Sequence, residues 1–208
     1  MIVSFQKNFV FIRTRKTASS TIETVLRQSL DSEDLFVGKS TLRHPKGKDR
    51  ARPQSNIETV AAHMKAEDIA KLVPDSFWSG SFKFTSERHP YEKAVSLAYY
   101  NFGKAQQSEG DFAEFLDMTV RRGNYRSFDH YTIDGKVVVN DFIRHETLES
   151  DLKRIADIIG VLVPDDLPQK RTAFRADRRP AHEILTPEQK QQVYQRCREE
   201  FELLGYAA

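Results

Sequence analysis

The sequence predicts an α/β fold in which a central parallel β-sheet is flanked by helices. Phe9–Ile12 is a continuous apolar run, which is typical of a strand covered on both faces. Residues 81–87 alternate between polar and apolar side chains, as a second strand would. Each of these segments is followed by a helical pattern, and strands separated by helices favour a parallel sheet with right-handed crossovers.

The composition limits the classes of function. A chain of 208 residues is expected to form one domain, residues 1–208. With 32 basic and 30 acidic residues, the net charge of +2 argues against a general nucleic-acid-binding protein, but it leaves a local site for a small anion open. One cysteine, Cys197, excludes an internal disulfide and a cysteine-rich metal site. No run is long enough to span a membrane and no signal peptide is recognisable, so we expect a cytoplasmic location.

The first third of the chain predicts two strands, a helix and a basic loop. Residues 2–5 predict a short strand before Phe9–Ile12, and apolar residues at helical spacing follow from Ile22 onwards. We expect Ser20 to cap this helix and Glu23 to complete a capping box. Residues 31–56 lose periodicity, which predicts either a solvated loop or a basic flap that recruits an acidic substrate.

The remaining segments predict further alternation of strands and helices. The expected elements are a weak strand at 57–61, a short helix at 66–73, a helix from Pro90, a helix at 111–122, a strand at 137–144, a helix between Thr147 and Gly160, a loop at 161–179, and a last helix from Thr186 to Gly205. In the last helix, Thr186, Pro187 and Gln189 supply the cap, the first-turn proline and the capping-box glutamine.

The loop between the first long strand and its helix, within FVFIRTRKTASSTIETVL, is a candidate anion site. It carries the cations Arg13, Arg15 and Lys16 among small polar residues. Such a loop delivers backbone N–H groups and a helix N-terminus to one point, and Lys16 would add its charge. It lacks the glycines of the nucleotide-triphosphate loop. The alternative is an ordinary strand-to-helix turn with surface cations.

The second candidate stretch is KFTSERHPYEKAVS, residues 83–96. Arg88 ends the predicted strand and Ser96 lies on the helix that follows. Both could converge on one phosphate, because open α/β sheets bind ligands at the carboxyl edge of their strands. The alternative is an arginine in a surface ion pair and a serine that faces solvent.

Together, strand-TRKTASSTIE and strand-ERHPYEKAVS resemble the sulfotransferase superfamily, and look most like its carbohydrate and heparan-type branch. DFIRHETLESDLKRIADIIGV is similar to a third, more generic family segment, so the resemblance covers residues 9–160. It implies a P-loop NTPase-like sulfotransferase fold. It also implies 3′-phosphoadenosine 5′-phosphosulfate (PAPS) as co-substrate, with 3′-phosphoadenosine 5′-phosphate (PAP) as its product. No pair of histidines and carboxylates has the spacing of metal ligands, so we expect no metal.

The resemblance also implies roles for individual residues. Lys16 would act in catalysis by bridging the phosphate and sulfuryl oxygens, and Arg88 and Ser96 would bind the 3′-phosphate. A basic loop from Lys170 to Arg175 either closes over the cofactor phosphates or is a solvated linker. The implied cofactor-binding residues are Arg15, Lys16, Thr17, Ala18, Ser19, Ser20, Thr21, Arg88, Ser96, Arg171 and Arg175.

A hydroxyl acceptor also requires a general base. His63 resembles the family's base histidine ahead of a helix, and a histidine titrates near neutral pH. The alternative for His63 is a partly buried histidine satisfied by the backbone, and His44 on the basic loop is the competing base. Glu146 matches a strand-end glutamate of the family, although ion pairing or helix capping would explain it equally well.

These features predict a cytoplasmic sulfotransferase that moves a sulfuryl group from PAPS to a hydroxyl of a carbohydrate or a glycosylated metabolite. The expected partner is a small-molecule or glycan acceptor, without nucleic acid or membrane. A nucleotide-dependent kinase of related fold is the first alternative, and the missing glycine-rich loop counts against it. A non-catalytic nucleotide-binding protein is the second. The sequence identifies neither the acceptor nor the oligomeric state.

Overall fold

The computed structural model describes residues 1–37, 42–43, 62–105, 112–168, 175 and 177–208, and for 42–43 it describes the backbone alone. The described chain divides into two compact units. The first unit consists of Met1–Thr14, Ala18–Glu87 and Asp129–Pro168, and the second consists of Arg15–Thr17, Arg88–Phe128 and Gln169–Ala208.

The strands belong to the first unit. In chain order they are β1 (Ile2–Ser4), β2 (Phe9–Ile12), β3 (Leu35–Val37), β4 (Leu42–Arg43), β5 (Phe82–Glu87), β6 (Thr132–Ile133), β7 (Lys136–Val137) and β8 (Asp141–Arg144). Within the described residues, six of them form one sheet in the order β4-β3-β1-β2-β5-β8, and β6 and β7 form a separate hairpin. Parallel pairing joins β2 to β5 and β5 to β8. The neighbours on the other side, β1, β3 and β4, pair antiparallel.

The helices occur in both units. In chain order they are α1 (Ser19–Leu26), α2 (Ala66–Ala70), α3 (Asp75–Gly80), α4 (Pro90–Lys104), α5 (Phe112–Arg122), α6 (Leu148–Ile159), α7 (Ala181–Ile184), α8 (Pro187–Arg196) and α9 (Arg198–Leu204). Short 3-10 turns occupy Arg27–Ser29, Phe128–His130 and His145–Thr147. None of the helices that the structure describes combines the length and the apolarity needed to cross a membrane.

The core of the first unit covers the parallel strands. Phe9, Phe11 and Phe84 are fully buried, and the rings of Phe11 and Phe84 stack with their centroids 5.2 Å apart. Apolar side chains of α1 and α6 join the same cluster. Fully burying one such side chain is worth about 1.5–3 kcal/mol, so these contacts hold the helices against the sheet. The predicted α/β fold with central parallel strands flanked by helices is confirmed.

Several predicted boundaries are confirmed. The strands at 2–5, 9–12 and 81–87 and the helices that begin near Pro90 and after Thr147 form as expected. The capping box of Thr186 and Gln189 also forms. Gly160 and Gly205 end their helices in the left-handed conformation that glycine adopts without strain.

Other predictions are wrong in part. The predicted loop at 31–56 contains β3, which pairs with β1, so long-range pairing creates a strand where the local pattern is too short to show one. The predicted strand at 137–144 is interrupted between β7 and β8, and the single last helix is broken at Cys197. The short helices α3 and α7 and the β6–β7 hairpin were not foreseen. The strand predicted at 57–61 lies outside the described residues.

The second unit contains a fully buried ion pair. Lys93 on α4 and Glu200 on α9 are both 0% exposed, with 2.6 Å between Nζ and Oε2. The Lys93 ammonium also donates to the Ser127 hydroxyl at 3.2 Å. The other Glu200 oxygen accepts from the backbone N–H groups of Ser127 and Phe128. One carboxylate therefore joins two helices and the segment that follows α5.

We expect Lys93→Met to lower the free energy of unfolding by about 3–5 kcal/mol, because it leaves the Glu200 carboxylate buried without its counter-ion. Urea denaturation measures this loss. Arg121→Met is the matched control, since Arg121 pairs with Asp117 on the surface, with the side chains 68% and 43% exposed. That control should change stability little, because exposed ion pairs are screened by solvent. Equal losses in the two variants would contradict a structural role for the buried pair.

Candidate functional site

The parallel strands of the first unit end at one edge of the sheet. Ile12 is paired with Thr85, and Glu87 is paired with Arg144, so β2, β5 and β8 present their carboxyl ends together. Open α/β sheets bind ligands at this edge. In the sequence, the predicted anion loop follows β2 directly and Arg88 follows β5 directly.

Buried hydroxyl groups fix the beginning of the anion loop. Thr85 donates a hydrogen bond from Oγ1 to the carbonyl of Ile12 at 2.8 Å, and Thr14 donates from Oγ1 to the carbonyl of Ser86. Ser19 closes the loop by donating from Oγ to the carbonyl of Thr14 at 2.8 Å. Thr14 and Thr85 are fully buried. The start of the loop is therefore tied both to β5 and to the first residue of α1.

The backbone of the loop contains two left-handed residues that are not glycine. Lys16 has φ +63° and Ala18 has φ +61°. Such a conformation costs roughly 1–2 kcal/mol for a residue with a Cβ, and it persists only where the surroundings enforce it. Alternation of left-handed and ordinary residues turns successive N–H groups towards a common side, which is the backbone arrangement that binds anions.

The predicted capping box of Ser20 and Glu23 is wrong. Helix α1 begins at Ser19, and its cap residue is Ala18, whose side chain forms no capping hydrogen bond. The Glu23 carboxylate instead forms an ion pair with Arg13, whose side chain is 7% exposed. Arg13 also donates to Ser20 Oγ at 3.3 Å. A buried arginine that requires a counter-ion therefore takes the glutamate away from the helix terminus.

Arg13 is thus paired with Glu23 inside the fold. The two other cations of the loop are Arg15, which is exposed, and Lys16, which is half-buried. The Lys16 ammonium lies 4.4 Å from the centroid of the Tyr100 ring on α4. The Lys104 ammonium lies 4.5 Å from the same ring. An aromatic ring attracts a cation by about 0.5–1 kcal/mol at an exposed site without neutralising its charge. Tyr100 is a contact of Lys16 that the sequence analysis did not identify.

His63 lies near the start of the anion loop. Its Nδ1 is 3.3 Å from the carbonyl oxygen of Arg13, and the side chain is half-buried. A carbonyl oxygen can only accept, so Nδ1 carries the proton in this contact, and in a neutral ring Nε2 is then the nitrogen that can accept one. The competing base, His44, lies outside the described residues.

In the second unit, the carboxylate of Glu92 on α4 accepts hydrogen bonds from three groups. Its Oε2 lies 2.8 Å from Nη2 of Arg88 and 2.5 Å from Nη1 of Arg175, and its Oε1 accepts from the backbone N–H of Ala181 at 2.8 Å. Burial alone would raise the pKa of Glu92, but the hydrogen bonds from Arg175 and Ala181 and the charge of Arg88 hold that pKa below its ordinary value. Glu92 therefore remains ionised at neutral pH.

The structure thus brings together Arg88 and Arg175, two residues predicted from separate motifs. Ser96 lies one turn beyond Glu92 on α4 and is half-buried. Glu92 was missed by the sequence analysis, although its position four residues after Arg88 is the spacing of a helical ion pair. Arg171 and its neighbours Lys170 and Thr172 lie outside the described residues.

Thr17, Thr21 and Glu146, which the sequence analysis also singled out, lie in the first turns after β2 and β8. Thr17 is fully buried, and Thr21 donates from Oγ1 to the carbonyl of Pro168 at 2.9 Å, which places the end of the segment after α6 beside the start of α1. Glu146 is exposed in the turn after β8. Among the residues whose placement is described, no cluster of three or more histidine, cysteine, aspartate or glutamate side chains could hold a metal ion.

Comparisons with known proteins agree with this fold. The family model described as "Sulfotransferase family" matches residues 1–207 of the chain. No curated protein matches. Among solved structures, the chain is similar to mouse sulfotransferase SULT7A1 complexed with PAP, with a TM-score of 0.53 and 19% sequence identity, over 96% of this chain and 85% of that chain. At this identity, the structural likeness shows a shared fold.

The left-handed backbone of the loop predicts opposite effects for one substitution at two positions. Ala18→Gly should raise the free energy of unfolding by about 1 kcal/mol, because glycine adopts this φ without a steric penalty. Ala156→Gly, in the middle of α6 and 1% exposed, should lower it by at least about 1 kcal/mol, because glycine weakens a helix. Denaturation of both variants measures the difference. A loss of stability in both would show that Ala18 is not strained.

Proposed function

The chain belongs to the sulfotransferase family, whose model matches residues 1–207, and from this premise we propose that it transfers a sulfuryl group from PAPS to a hydroxyl acceptor. The observation that carries the proposal is the loop between β2 and α1, which combines left-handed residues, a helix N-terminus and Lys16. The solved complex of mouse SULT7A1 with PAP supports PAPS as the donor. The chain is an enzyme of this family.

The proposed contacts to the donor follow the two predicted motifs. Backbone N–H groups and hydroxyls of residues 17–21 bind the 5′-phosphate, with Arg15 and Lys16 adding positive charge. Arg88, Ser96 and Arg175 bind the 3′-phosphate, and the shared contact of both arginines with Glu92 supports their common role. Arg171 remains a predicted member of this set.

The proposed reaction forms one bond and breaks one. The acceptor oxygen attacks the sulfur, the bond from sulfur to the phosphate oxygen breaks, and PAP leaves. Negative charge grows on the leaving phosphate oxygen, so a fixed ammonium at Lys16 binds the transition state more tightly than the ground state. His63 Nε2 accepts the proton of the acceptor hydroxyl. No step requires a metal.

The proposed acceptor is a carbohydrate or a glycosylated metabolite, as the resemblance to the carbohydrate branch implies. A single domain and a cytoplasmic location also remain predictions. Calorimetry with PAP and with ATP tests the donor class directly. We expect PAP to bind more tightly, since ATP lacks a 3′-phosphate. Tighter binding of ATP would overturn the proposal and favour a nucleotide-dependent kinase.

Lys16→Met should lower kcat by on the order of a hundredfold or more, which corresponds to about 3 kcal/mol of lost transition-state stabilisation. Its affinity for PAP should fall much less, because the backbone donors of the loop remain. Sulfate transfer to a panel of hydroxyl acceptors and calorimetry with PAP measure the two effects. Lys104→Met, which removes an equal charge from the same Tyr100 ring, should leave kcat unchanged. An equal loss in both variants would argue against a specific role for Lys16.

His63→Ala should lower kcat by about 10²–10⁴-fold while PAP binds as before, because the acceptor proton loses its base. Removing a base should also abolish the acidic limb of the pH–rate profile, which a merely structural change would not do. His182→Ala is the control, since its side chain is 65% exposed on α7. Normal turnover of the His63 variant would refute the assignment.

A further inference from the structure

Glu92 joins three parts of the second unit that are distant in sequence. Arg88 precedes α4, Arg175 lies 83 residues beyond Glu92, and Ala181 begins α7. All three donate to one carboxylate, whose two oxygens are both used. Because the site of the 3′-phosphate is proposed to contain both arginines, the carboxylate that orders them bears directly on donor recognition.

Three hydrogen bonds fix the orientation of the Arg175 side chain. Its Nη1 donates to Glu92, its Nε donates to the carbonyl of Asp177 at 2.9 Å, and its Nη2 donates to the carbonyl of Arg179. Among the described residues, these bonds use three of the five N–H donors that a guanidinium carries. The side chain of Arg175 is 16% exposed, as is that of Arg88. The guanidinium plane of Arg175 is therefore fixed before any ligand binds.

The two arginines are also close to each other. Nη2 of Arg88 and Nη1 of Arg175 contact the same Glu92 oxygen, so their separation cannot exceed the sum of two hydrogen-bond lengths. Like charges at this distance repel, and the carboxylate between them offsets that repulsion. The three groups together keep a net positive charge, so the cluster still attracts a phosphate dianion.

We propose that Glu92 is a positioning residue that holds Arg88 and Arg175 as one pair for the 3′-phosphate, and so sets the preference for 3′-phosphorylated nucleotides. The inference rests on the proposed function. Glu92 acts through the arginines and touches neither the donor nor the acceptor. Pre-ordering matters because a guanidinium that must be ordered at binding loses side-chain entropy at that moment.

Simple electrostatics predicts the opposite sign for the loss of Glu92. A carboxylate close to an anion site repels the anion, so its removal should strengthen phosphate binding if charge alone decides. If position decides, its removal should weaken binding, because the arginines separate and their donors lose alignment. The direction of the change therefore distinguishes the two accounts.

The experiment compares the affinities of wild type and Glu92→Gln for PAP and for adenosine 5′-phosphate, which lacks the 3′-phosphate. Isothermal calorimetry gives both values. We expect Glu92→Gln to weaken PAP binding by on the order of tenfold to a hundredfold, the range for losing a charge-assisted hydrogen bond. Binding of adenosine 5′-phosphate should not change, which also shows that the variant is folded. Glu114→Gln, an equal charge change at an exposed position on α5, should alter neither affinity.

Two further variants keep the test decisive. Glu92→Asp retains the charge but is shorter, so it should reproduce the loss if position matters. Arg175→Gln should lose the same preference, and the double variant with Glu92→Gln should lose less than the sum, since both act through one contact. Tighter PAP binding by Glu92→Gln, or an unchanged preference, overturns the role of Glu92. A wild-type protein that does not distinguish the two nucleotides overturns the proposed donor itself and this inference with it.

Discussion

Parallel pairing of β2 with β5 is the constraint on which the start of the anion loop depends. Register pairs Ile12 with Thr85, and the hydroxyl of Thr85 donates to the Ile12 carbonyl at the point where β2 ends. Thr14 then continues the tie to Ser86. The anion loop can be strained because Ile12 and Thr14, on either side of its first residue, are fixed in this way. A loop with one free end would relax Lys16 and Ala18 out of their left-handed conformations.

Two segments share the sequence pattern of a capping box, and only one of them forms it, which shows the limit of predicting helix caps from local sequence. Thr186 and Gln189 form theirs, with the Gln189 N–H donating to the Thr186 hydroxyl and the Thr186 N–H donating to the Gln189 side chain. Ser20 and Glu23 have equivalent spacing, but Glu23 forms an ion pair with the buried Arg13 instead of capping the helix. The sequence around Ser20 contains no sign of this competition, since Arg13 belongs to the preceding strand-end segment. Burial of a charge, which is decided by tertiary structure, outweighs a terminus bond of about 1 kcal/mol.

The same distinction separates the predictable part of the fold from the rest. Phe9–Ile12 and the helix after Pro90 were recognisable, because apolar runs, helical spacing and a first-turn proline are local signals. Strand β3 has three residues and exists because β1 offers it a partner. Within the site, the motifs identified Lys16 and Arg88 as candidates. The sequence could not reveal that Glu92 would form an ion pair with Arg175, which lies 83 residues further along the chain.

Lys16 and the two arginines contact different kinds of group, and the difference fits their proposed roles. Lys16 contacts the Tyr100 ring, and a cation–π contact attracts an ammonium without cancelling its charge, as its proposed role at the leaving group requires. A carboxylate in the place of Tyr100 would stabilise the ammonium already in the ground state, and that stabilisation would be subtracted from catalysis. Arg88 and Arg175 contact a carboxylate, which fits their proposed role, since recognition of a static phosphate depends on direction more than on growing charge. The aromatic contact at Lys16 and the carboxylate at the arginines are thus each suited to the role proposed for them.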